Sequence, residues 1–377
     1  MRASIELELR RLAEEGNLRK IAEKDMPEAM VDLSSNDYLG LAERRDLRDK
    51  FLGSEGLGLT LSASASRLLA RSQKVFTSFE RTLAEAYGGG RKALLFNSGY
   101  HANMGLIAPL CGPRTMVIAD KLVHASIIDG MKLSGAGFER FRHNDTGHLE
   151  RLLKKCSEAG MQALIIVESI YSMDGDRAPL EEIAMLKRTM APEGWLYVDE
   201  AHAVGVEGDG GLGLAKGIDG VDIIVGTLGK ALASAGAYAI MEAEVREWMV
   251  NRSRSFIFST ALPPLQVAWS EMMFRQALTM DSERAHLRSL GRHLEAILRK
   301  YKGGEDARAG HIMPLIAGDP KRAVALSEGL RADGFCVLPI RRPTVPPGTD
   351  RLRLSLSAAL THEQLDNLDV SLSKQFL

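Results

Sequence analysis

The chain has 377 residues, enough for one large domain and a smaller one, and its 45% hydrophobic and 26% charged residues are ordinary globular values. The formal net charge of −1 at pH 7 argues against a nucleic acid partner. The three cysteines are widely spaced and form no C-x-x-C pair, which predicts a reducing compartment and no metal site. Charges run through the N-terminal stretch, and no apolar run approaches the roughly 18 residues of a membrane span. We therefore expect a cytoplasmic protein with no membrane partner.

The apolar pattern predicts three segments along the chain. Ile5 and Leu9 fall on one face of an N-terminal amphipathic helix, which indicates an arm over residues 1–37. A large domain is predicted for residues 38–275. A small α+β domain is predicted for residues 276–377, with the helical pattern "DSERAHLRSLGRHLEAILRKY" and the strand patterns "HIMPLIA", "FCVLPI" and "RLRLSLS".

The large domain alternates helix-length segments with short apolar runs. Such runs are typical of strands in a mainly parallel sheet that is buried on both faces. The predicted fold class is therefore α/β, with helices on both faces of the sheet. The predicted strands are "KALLF", "TMVIAD", "ALIIVES", "WLYVD", "DIIVGT", "GAYAIM" and "SFIFST".

Polar residues follow most of these predicted strands. In open α/β sheets, ligands bind beyond the carboxyl ends of the strands, so we expect one polar site to gather these residues. In strand order they are Asn97, Ser98 and Gly99, then Asp120, Glu168 and Ser169, Asp199, Thr227, and finally Ser259 and Thr260.

The tetrapeptide from Asp199 to His202 spells the DEAH box of nucleic-acid helicases. A helicase also needs a G-x-x-x-x-G-K-[ST] loop, because backbone N–H groups and one lysine must neutralise a triphosphate. The nearest stretch, "VGTLGKAL", has Ile224 at the first glycine position and Ala231 at the hydroxyl position. The motif "GDGGLG" fits a dinucleotide-binding pattern by letter, but it lies in a loop well beyond the strand and is predicted to be a turn.

Another chemistry suits the strand-end residues better. Pyridoxal 5′-phosphate (PLP) requires a lysine for a Schiff base, a carboxylate for the pyridine nitrogen, and donors for its phenolic oxygen and phosphate. Asp199, His202, Thr227 and Lys230 supply one of each. Lys230 also lies among small residues, "TLGKALASAGA", which would let a flat cofactor approach the backbone.

A family resemblance supports this interpretation. Along nearly its whole length the chain carries, in order, "LSSNDYLGL", "SRLL", "ALLFNSGYHAN", "VHASIIDG", "VESIYSMDGD", "YVDEAHAVGVEGDGGLG", "GTLGKAL" and "FIFSTALPP". Together these motifs resemble the α-oxoamine synthases, which are fold-type I PLP enzymes. The resemblance implies an aspartate aminotransferase-like fold and a homodimer with a shared active site.

The resemblance also implies roles for the cofactor-binding residues. Lys230 would form the Schiff base and move the α-proton of the substrate, while Asp199 would pair with the pyridine nitrogen. His202 and Ser172 would bind the phenolic oxygen, and His124 would stack on the ring and reach the substrate carboxylate. The phosphate would be held by Ser98, Gly99, Tyr100 and Thr227, with Ser259 or Thr260 coming from the neighbouring subunit.

Substrate residues are implied in the same way. Arg353 would bind the amino acid carboxylate with help from Asn36, and we expect Arg351 to point to the opposite face of the strand. Arg19, Arg341 and Thr344 match positions that contact substrate in the family.

Within the family, "SRLL" and "PIRRPTVPPGTDRLRLSLSAAL" favour members that join L-alanine to a pimeloyl thioester with loss of CO2, in biotin synthesis. The thioester carrier could be coenzyme A or acyl carrier protein. Alternatives are a relative that uses glycine or serine with another acyl thioester, a fold-type I aminotransferase, and a non-catalytic partner subunit. One departure is "SASASR" at residues 62–67, where relatives carry glycines; Ser or Ala would be strained at a position that needs positive φ.

Overall fold

The structure, a computed structural model, describes residues 2–19, 21, 25–54, 56 and 58–376. In chain order its helices are α1 (Arg2–Glu14), α2 (Arg45–Gly53), α3 (Gln73–Tyr87), α4 (Gly99–Leu110), α5 (Ala125–Ser134), α6 (Thr146–Glu158), α7 (Leu180–Met190), α8 (Ala243–Arg252), α9 (Arg254–Ile257), α10 (Pro264–Leu278), α11 (Asp281–Leu298), α12 (Pro320–Ala332) and α13 (His362–Gln375). The strands are β1 (Val31–Asp32), β2 (Lys92–Phe96), β3 (Thr115–Asp120), β4 (Gly137–Phe141), β5 (Gln162–Glu168), β6 (Trp195–Asp199), β7 (Ile223–Thr227), β8 (Ala237–Met241), β9 (Ile312–Ile316), β10 (Phe335–Cys336), β11 (Leu338–Ile340) and β12 (Arg351–Ser355). Within these described residues, no helix is both long enough and apolar enough to cross a membrane.

The chain divides into two units. Unit one consists of Met1–Tyr38, Ser172–Asp176 and Ser282–Leu377, and unit two of Leu39–Tyr171 and Arg177–Asp281. The segment predicted to be an arm and the segment predicted to be a small domain therefore belong to the same unit. That unit also includes the short stretch that contains Ser172.

Unit two is built on one sheet with the strand order β2-β8-β7-β6-β5-β3-β4. Strand β8 is antiparallel to both of its neighbours, and the other strands pair in parallel. In β5 the consecutive residues Leu164, Ile165, Ile166 and Val167 are all fully buried. Because successive side chains point to opposite faces of a sheet, this run shows that both faces are covered. The predicted α/β class and mainly parallel sheet are confirmed.

Two details of the predicted sheet were wrong. The run "SFIFST" is not a strand: it contains the short helix α9, with Phe256 buried and Phe258 exposed. Strand β4 was not predicted, because it pairs only with β3 at the edge of the sheet and is largely exposed. An exposed edge strand lacks the continuous apolar run that marks a strand buried on both faces.

The strand register brings the polar strand ends together. Glu168 at the end of β5 lies beside Asp199 at the end of β6, and Asp199 lies beside Val225 of β7. Because these strands are parallel, the turns that follow them leave the same edge of the sheet. The residues that follow β5, β6 and β7 therefore lie at one edge of the sheet, as expected for these three strands.

Unit one has its own small sheets. Strands β11, β12 and β9 form an antiparallel sheet, and β1 pairs in parallel with β10. Helix α13 begins with a capping box in which Thr361 and Gln364 each bind the other's backbone N–H, so two unpaired donors of the first turn are satisfied. The predicted α+β character of the C-terminal residues is confirmed.

The segment "SASASR" contains one residue in the left-handed region. Ser64 has φ +51°, and its N–H is bound by the hydroxyl of Ser62 at 3.0 Å. A side chain is disfavoured in this conformation, as expected for a position that glycine usually occupies.

We predict that Ser64→Gly stabilises unit two by about 1 kcal/mol, since glycine adopts this φ without the steric cost of a Cβ atom. Chemical denaturation of the two proteins would measure the change. A matched Ser62→Gly variant, which lacks the strained φ to relieve, should show no gain. Equal or lower stability of Ser64→Gly would show that the loss of chain entropy outweighs the strain.

Candidate active site

A lysine and a histidine meet in unit two beyond the carboxyl ends of β6 and β7. The Nζ atom of Lys230 lies 2.7 Å from Nε2 of His202. His202 is buried and follows the end of β6, whereas Lys230 follows the end of β7. Since these two strands are neighbours, their following turns lie side by side, and two residues predicted from the sequence are brought into contact.

Asp199 is a buried carboxylate with both oxygens bound. Its Oδ1 accepts from the backbone N–H of Ala201 at 2.9 Å, and its Oδ2 accepts from the side-chain amide of Asn103 at 2.8 Å. A buried carboxylate held at both oxygens cannot rotate freely, so it can present a fixed negative charge to a cationic partner.

His124 lies at the N-terminus of α5, where it serves as the cap. Its Nδ1 is 2.7 Å from the hydroxyl of Ser126, and its backbone N–H donates to the carboxylate of Glu168. Desolvation lowers the pKa of His124, although Asp199 acts in the opposite direction. A neutral imidazole can stack on a flat ring without carrying a charge against it.

An anion site is present at the start of α4. Ser98 caps this helix by accepting from the backbone N–H of His101 at 3.3 Å. Gly99 is the first helical residue, and a Cβ added to it would lie 4.0 Å from Oγ1 of Thr227. The free N–H groups of a helix start favour an anion, and here a hydroxyl and an open glycine surface lie beside them. The ring of Tyr100 is partly exposed, and its hydroxyl donates to Asp129.

Ser259 and Thr260 follow the helical turn α9. The backbone oxygen of Thr260 accepts from the side-chain amide of Asn97 at 2.6 Å, which ties this stretch to the residues just before α4. The side chain of Thr260 is exposed, and that of Ser259 is partly exposed. Their hydroxyls are therefore accessible to a ligand, as their predicted role requires.

The residues of unit two fit PLP in their chemistry. A lysine amine, an oriented buried carboxylate, a neutral imidazole and an anion site at a helix start are the groups that this cofactor needs. The glycine surface at the start of α4 is a place that any larger side chain would fill. Each group that the cofactor needs is thus supplied by a residue already present in this set.

Arg353 lies in unit one and contacts two of the predicted residues. Its guanidinium donates to Oδ1 of Asn36 at 3.0 Å and to the backbone oxygen of Ser172 at 2.6 Å. Arg351 donates to Asp174 in the same stretch. The expectation that Arg351 points to the opposite face is therefore wrong, because residues two apart in a strand lie on the same face.

Arg19, Arg341 and Thr344 also come together in unit one. Arg19 donates to the hydroxyl of Thr344 at 2.9 Å, and Arg341 donates to the backbone oxygen of Gly16. Desolvation and the nearby Arg19 both lower the pKa of Arg341. Two cationic side chains thus share one region, where an anionic group would relieve their repulsion.

Several buried polar residues near Asp199 were not predicted as site residues. Asn103 lies within the motif "ALLFNSGYHAN" but received no role, and neither did Ser126 or Tyr197, whereas Glu168 was expected at the polar edge of the sheet without a specific role. A polar amide inside an otherwise apolar helix was the available signal for Asn103. Burial and the nearby Asp199 raise the pKa of Glu168 well above its ordinary value, which was not visible from the sequence.

Comparison with known proteins shows the family of the chain. The family profile described as aminotransferase class I and II matches residues 28–371. An 8-amino-7-oxononanoate synthase from Haemophilus ducreyi is 44% identical over 348 residues, covering 90% of each chain. The chain belongs to the α-oxoamine synthases, within the class I and II aminotransferase family.

Solved structures show the same relationship for this α-oxoamine synthase. Serine palmitoyltransferase from S. paucimobilis, with a bound PLP–myriocin aldimine, has a TM-score of 0.88 and 27% identity, covering 99% of this chain and 96% of that one. The 8-amino-7-oxononanoate synthase from Francisella tularensis has a TM-score of 0.76 and 25% identity, covering 93% and 100%. The chain is thus a fold-type I, PLP-dependent acyltransferase.

Glu200 follows Asp199 and is fully buried. Its carboxylate accepts from the hydroxyl of Ser169 at 2.9 Å and from the backbone N–H groups of Leu214 at 3.1 Å and Ala215 at 2.5 Å. Burial nevertheless raises the pKa of Glu200 from its ordinary value of 4.5 to about 7. The carboxyl of Glu200 therefore holds the loop after β6 in place, but ionising this buried carboxyl near neutral pH lowers the stability of the fold.

We predict that Glu200→Gln flattens the pH dependence of stability in this α-oxoamine synthase. Because folding raises the pKa of Glu200 from 4.5 to about 7, its contribution is complete below pH 4.5 and is lost as the pH rises through 7. Glutamine mimics the protonated group and does not titrate. Urea denaturation at a series of pH values should show that the free energy of unfolding of the wild type falls between pH 4.5 and about 7 relative to that of the variant. If the two free energies change in parallel with pH, the shifted pKa is contradicted.

Proposed function

We propose that the chain condenses L-alanine with a pimeloyl thioester to give 8-amino-7-oxononanoate, CO2 and the free thiol. The sequence relationship supports this choice, since the Haemophilus ducreyi protein of that name is 44% identical over 90% of the chain. The contact between Lys230 and His202 beside the fixed carboxylate of Asp199 is the observation that carries the chemistry. The carrier of the thioester is coenzyme A or acyl carrier protein.

When bound, PLP supplies a carbonyl that condenses with amines and a ring that accepts the electron pair left on the α-carbon. Lys230 would provide the amine that holds the cofactor, and the same amine would take the α-proton of alanine and later return one. Asp199 would hold the ring nitrogen with its oriented carboxylate. His202 would donate to the phenolic oxygen, and the neutral imidazole of His124 would stack on the ring.

The carboxylate of alanine is assigned to Arg353. Its planar guanidinium can bind a carboxylate through two parallel hydrogen bonds, which fixes the orientation of the amino acid. In unit one this guanidinium is already oriented by Asn36 and the backbone of Ser172. By the family resemblance, the hydroxyl of Ser172 would donate to the phenolic oxygen.

The far end of the acyl chain is assigned to the cationic pair Arg19 and Arg341. Pimelate ends in a carboxylate that would be costly to bury without a partner. Desolvation, and next the charge of Arg19, lower the pKa of Arg341 while Asp350 acts in the opposite direction, and a bound anion would add to the relief of this repulsion. Thr344, which already binds Arg19, adds a hydroxyl at the same place.

We further propose a homodimer in which Ser259 or Thr260 of one subunit serves the phosphate site of the other. Exposed apolar side chains support an interface on unit two, because solvent-exposed apolar surface favours association. Leu69 is 75% exposed and Phe258, next to Ser259, is 72% exposed.

We also propose that the reducing compartment expected from the three cysteines is the cytoplasm.

A second candidate function is the condensation of serine with a long uncharged acyl thioester. The TM-score of 0.88 with serine palmitoyltransferase favours it, although the identity to that enzyme is only 27%. The cationic pair Arg19 and Arg341 argues against it, since an uncharged chain end gains nothing from two guanidinium groups. The sequence relationship and the charge pattern therefore favour the pimeloyl chain.

We expect the purified protein to carry PLP on Lys230. Borohydride reduction should abolish the visible absorbance near 420 nm and attach the cofactor permanently, because only a Schiff base to an amine is reduced in this way. Peptide mapping then locates the label. A label on any other lysine would remove Lys230 from its assigned role.

We predict that pimeloyl thioester is preferred over octanoyl thioester by tenfold or more in kcat/KM with alanine as the donor, since a charge partner is worth about 1–3 kcal/mol. The two chains have similar length and differ in terminal charge. Arg19→Ala and Arg341→Ala should reduce the preference, while Arg342→Ala, a neighbour in the same loop, serves as the matched control. Equal rates for the two chains in the wild type would favour another α-oxoamine synthase activity.

A further inference from the structure

Four side chains form a continuous hydrogen-bond chain behind Asp199. The amide of Asn103 in α4 donates to Asp199 at 2.8 Å and to the hydroxyl of Ser126 at 2.9 Å. The hydroxyl of Tyr197 donates to the amide oxygen of Asn103 at 2.5 Å. The hydroxyl of Ser126 lies 2.7 Å from Nδ1 of His124. One amide thus connects the carboxylate with the imidazole.

The chemistry of these groups fixes the direction of each bond. The carboxylate of Asp199 can only accept, so the NH2 group of Asn103 must face it. The amide oxygen then faces Tyr197, whose hydroxyl must donate. Burial and the charge of Asp199 raise the pKa of Tyr197 well above its ordinary value, which keeps that hydroxyl protonated.

The network is buried and its amide is fully used. Asn103 and Ser126 are each 1% exposed, and Tyr197 is fully buried. Both N–H groups and the oxygen of the Asn103 amide have partners, so the amide cannot turn without breaking several bonds at once. In a buried region such bonds are strong, and an unpaired group is costly.

The packing of α4 against α5 holds the two ends of the network at a fixed distance. A Cβ added to Gly130 in α5 would lie 3.0 Å from the backbone oxygen of Asn103 and 3.0 Å from Ile107. A side chain here would crowd Asn103 and Ile107, so the glycine favours the close approach of the two helices. The same approach brings Ser126, in the first turn of α5, within reach of the Asn103 amide.

We propose that Asn103 is the positioning residue that fixes the orientation of the Asp199 carboxylate, which would hold the ring nitrogen of PLP, and, through Ser126, that of the His124 imidazole, which would contact the same cofactor. The proposal rests on the proposed function only in taking Asp199 and His124 as the residues that contact PLP. Asn103 itself touches neither cofactor nor substrate. Its effect is to make the carboxylate and the imidazole two parts of one rigid unit.

The test compares Asn103→Asp with Asn103→Ala. The Asp variant has nearly the shape of asparagine and can still accept from Tyr197, but it replaces the donor to Asp199 with a second carboxylate. The Ala variant removes the donor without adding charge. The measurements are the dissociation constant of PLP from the apoprotein, the visible circular dichroism of bound PLP, the exchange of the α-proton of alanine in D2O, and the melting temperature of the apoprotein.

At pH 8 we expect both variants to bind PLP about tenfold or more weakly and to lose circular dichroism, with the Asp variant at least as impaired as the Ala variant. As the pH falls towards 6, the two carboxylates of the Asp variant should share a proton, which restores a donor. Affinity, dichroism and exchange relative to wild type should then recover in the Asp variant alone. The KM for alanine should change little, because the carboxylate of alanine is bound elsewhere.

Two results would overturn the proposal. The first is wild-type PLP affinity and dichroism in the Asp variant at pH 8. The second is a PLP affinity that is lower in the Ala variant than in the Asp variant by the same factor at every pH, as a purely packing role of Asn103 requires. If the melting temperatures show that neither Asn103 variant folds, the visible dichroism of PLP bound to Tyr197→Phe tests the proposal instead. This variant keeps Asn103 but removes the hydroxyl that holds its amide oxygen, so the amide can turn. Unchanged dichroism in a folded Tyr197→Phe protein would also count against the positioning role.

The same measurements separate this proposal from the proposed function. PLP affinity and dichroism require neither alanine nor an acyl thioester. If wild type fails to exchange the α-proton of alanine but the Asn103 variants lose PLP as described, the substrate assignment fails and the positioning role stands. If wild type exchanges the α-proton of alanine and the Asn103 variants bind PLP as tightly as wild type, the substrate assignment stands and the positioning role fails.

Discussion

The burial of the Asp199 carboxylate at the end of β6 is the constraint on which the rest of the site depends. A buried charge is costly unless its oxygens are hydrogen-bonded and it has an opposite charge nearby. The backbone of Ala201 and the amide of Asn103 supply the hydrogen bonds. The cationic partner is assigned to the ring of PLP. The buried carboxylate and the groups that hold it thus form the centre of the proposed site.

The neighbouring acids respond to the same constraint. Glu168 and Glu200 lie beside Asp199 in the structure and are also buried, and the pKa of each is raised. Burial makes both of these carboxyls less readily ionised than an exposed glutamate. Both also have structural roles, because Glu168 accepts from the backbone of His124 and Glu200 from the loop after β6. Of the three buried acids, Asp199 is thus assigned to the cofactor, whereas Glu168 and Glu200 hold the backbone around it.

Unit one uses charge in the opposite sense. Arg353 is buried and surrounded by neutral oxygen acceptors, which orient its guanidinium without neutralising it. Arg19 and Arg341 repel each other and lie in a more exposed region. Cations of this kind suit the two carboxylates of the proposed substrates, one on alanine and one on the acyl chain. The residues Ser172 and Asp174 belong to this unit through their contacts with Arg353 and Arg351.

The sequence by itself determined the strands that are buried on both faces, because their continuous apolar runs are a local property. It also indicated candidate PLP-binding residues, since Asp199, His202, Thr227 and Lys230 occur at strand ends or just beyond them, and the structure brings Lys230 and His202 into contact. The same local reasoning failed for α9 and for the exposed edge strand β4, where apolar content does not follow the backbone conformation. Only the tertiary structure decided the partners of the buried polar groups. Asn103 and Asp199 are 96 residues apart and Arg353 and Asn36 are 317 apart, and such contacts arise from the packing of whole elements rather than from any local pattern.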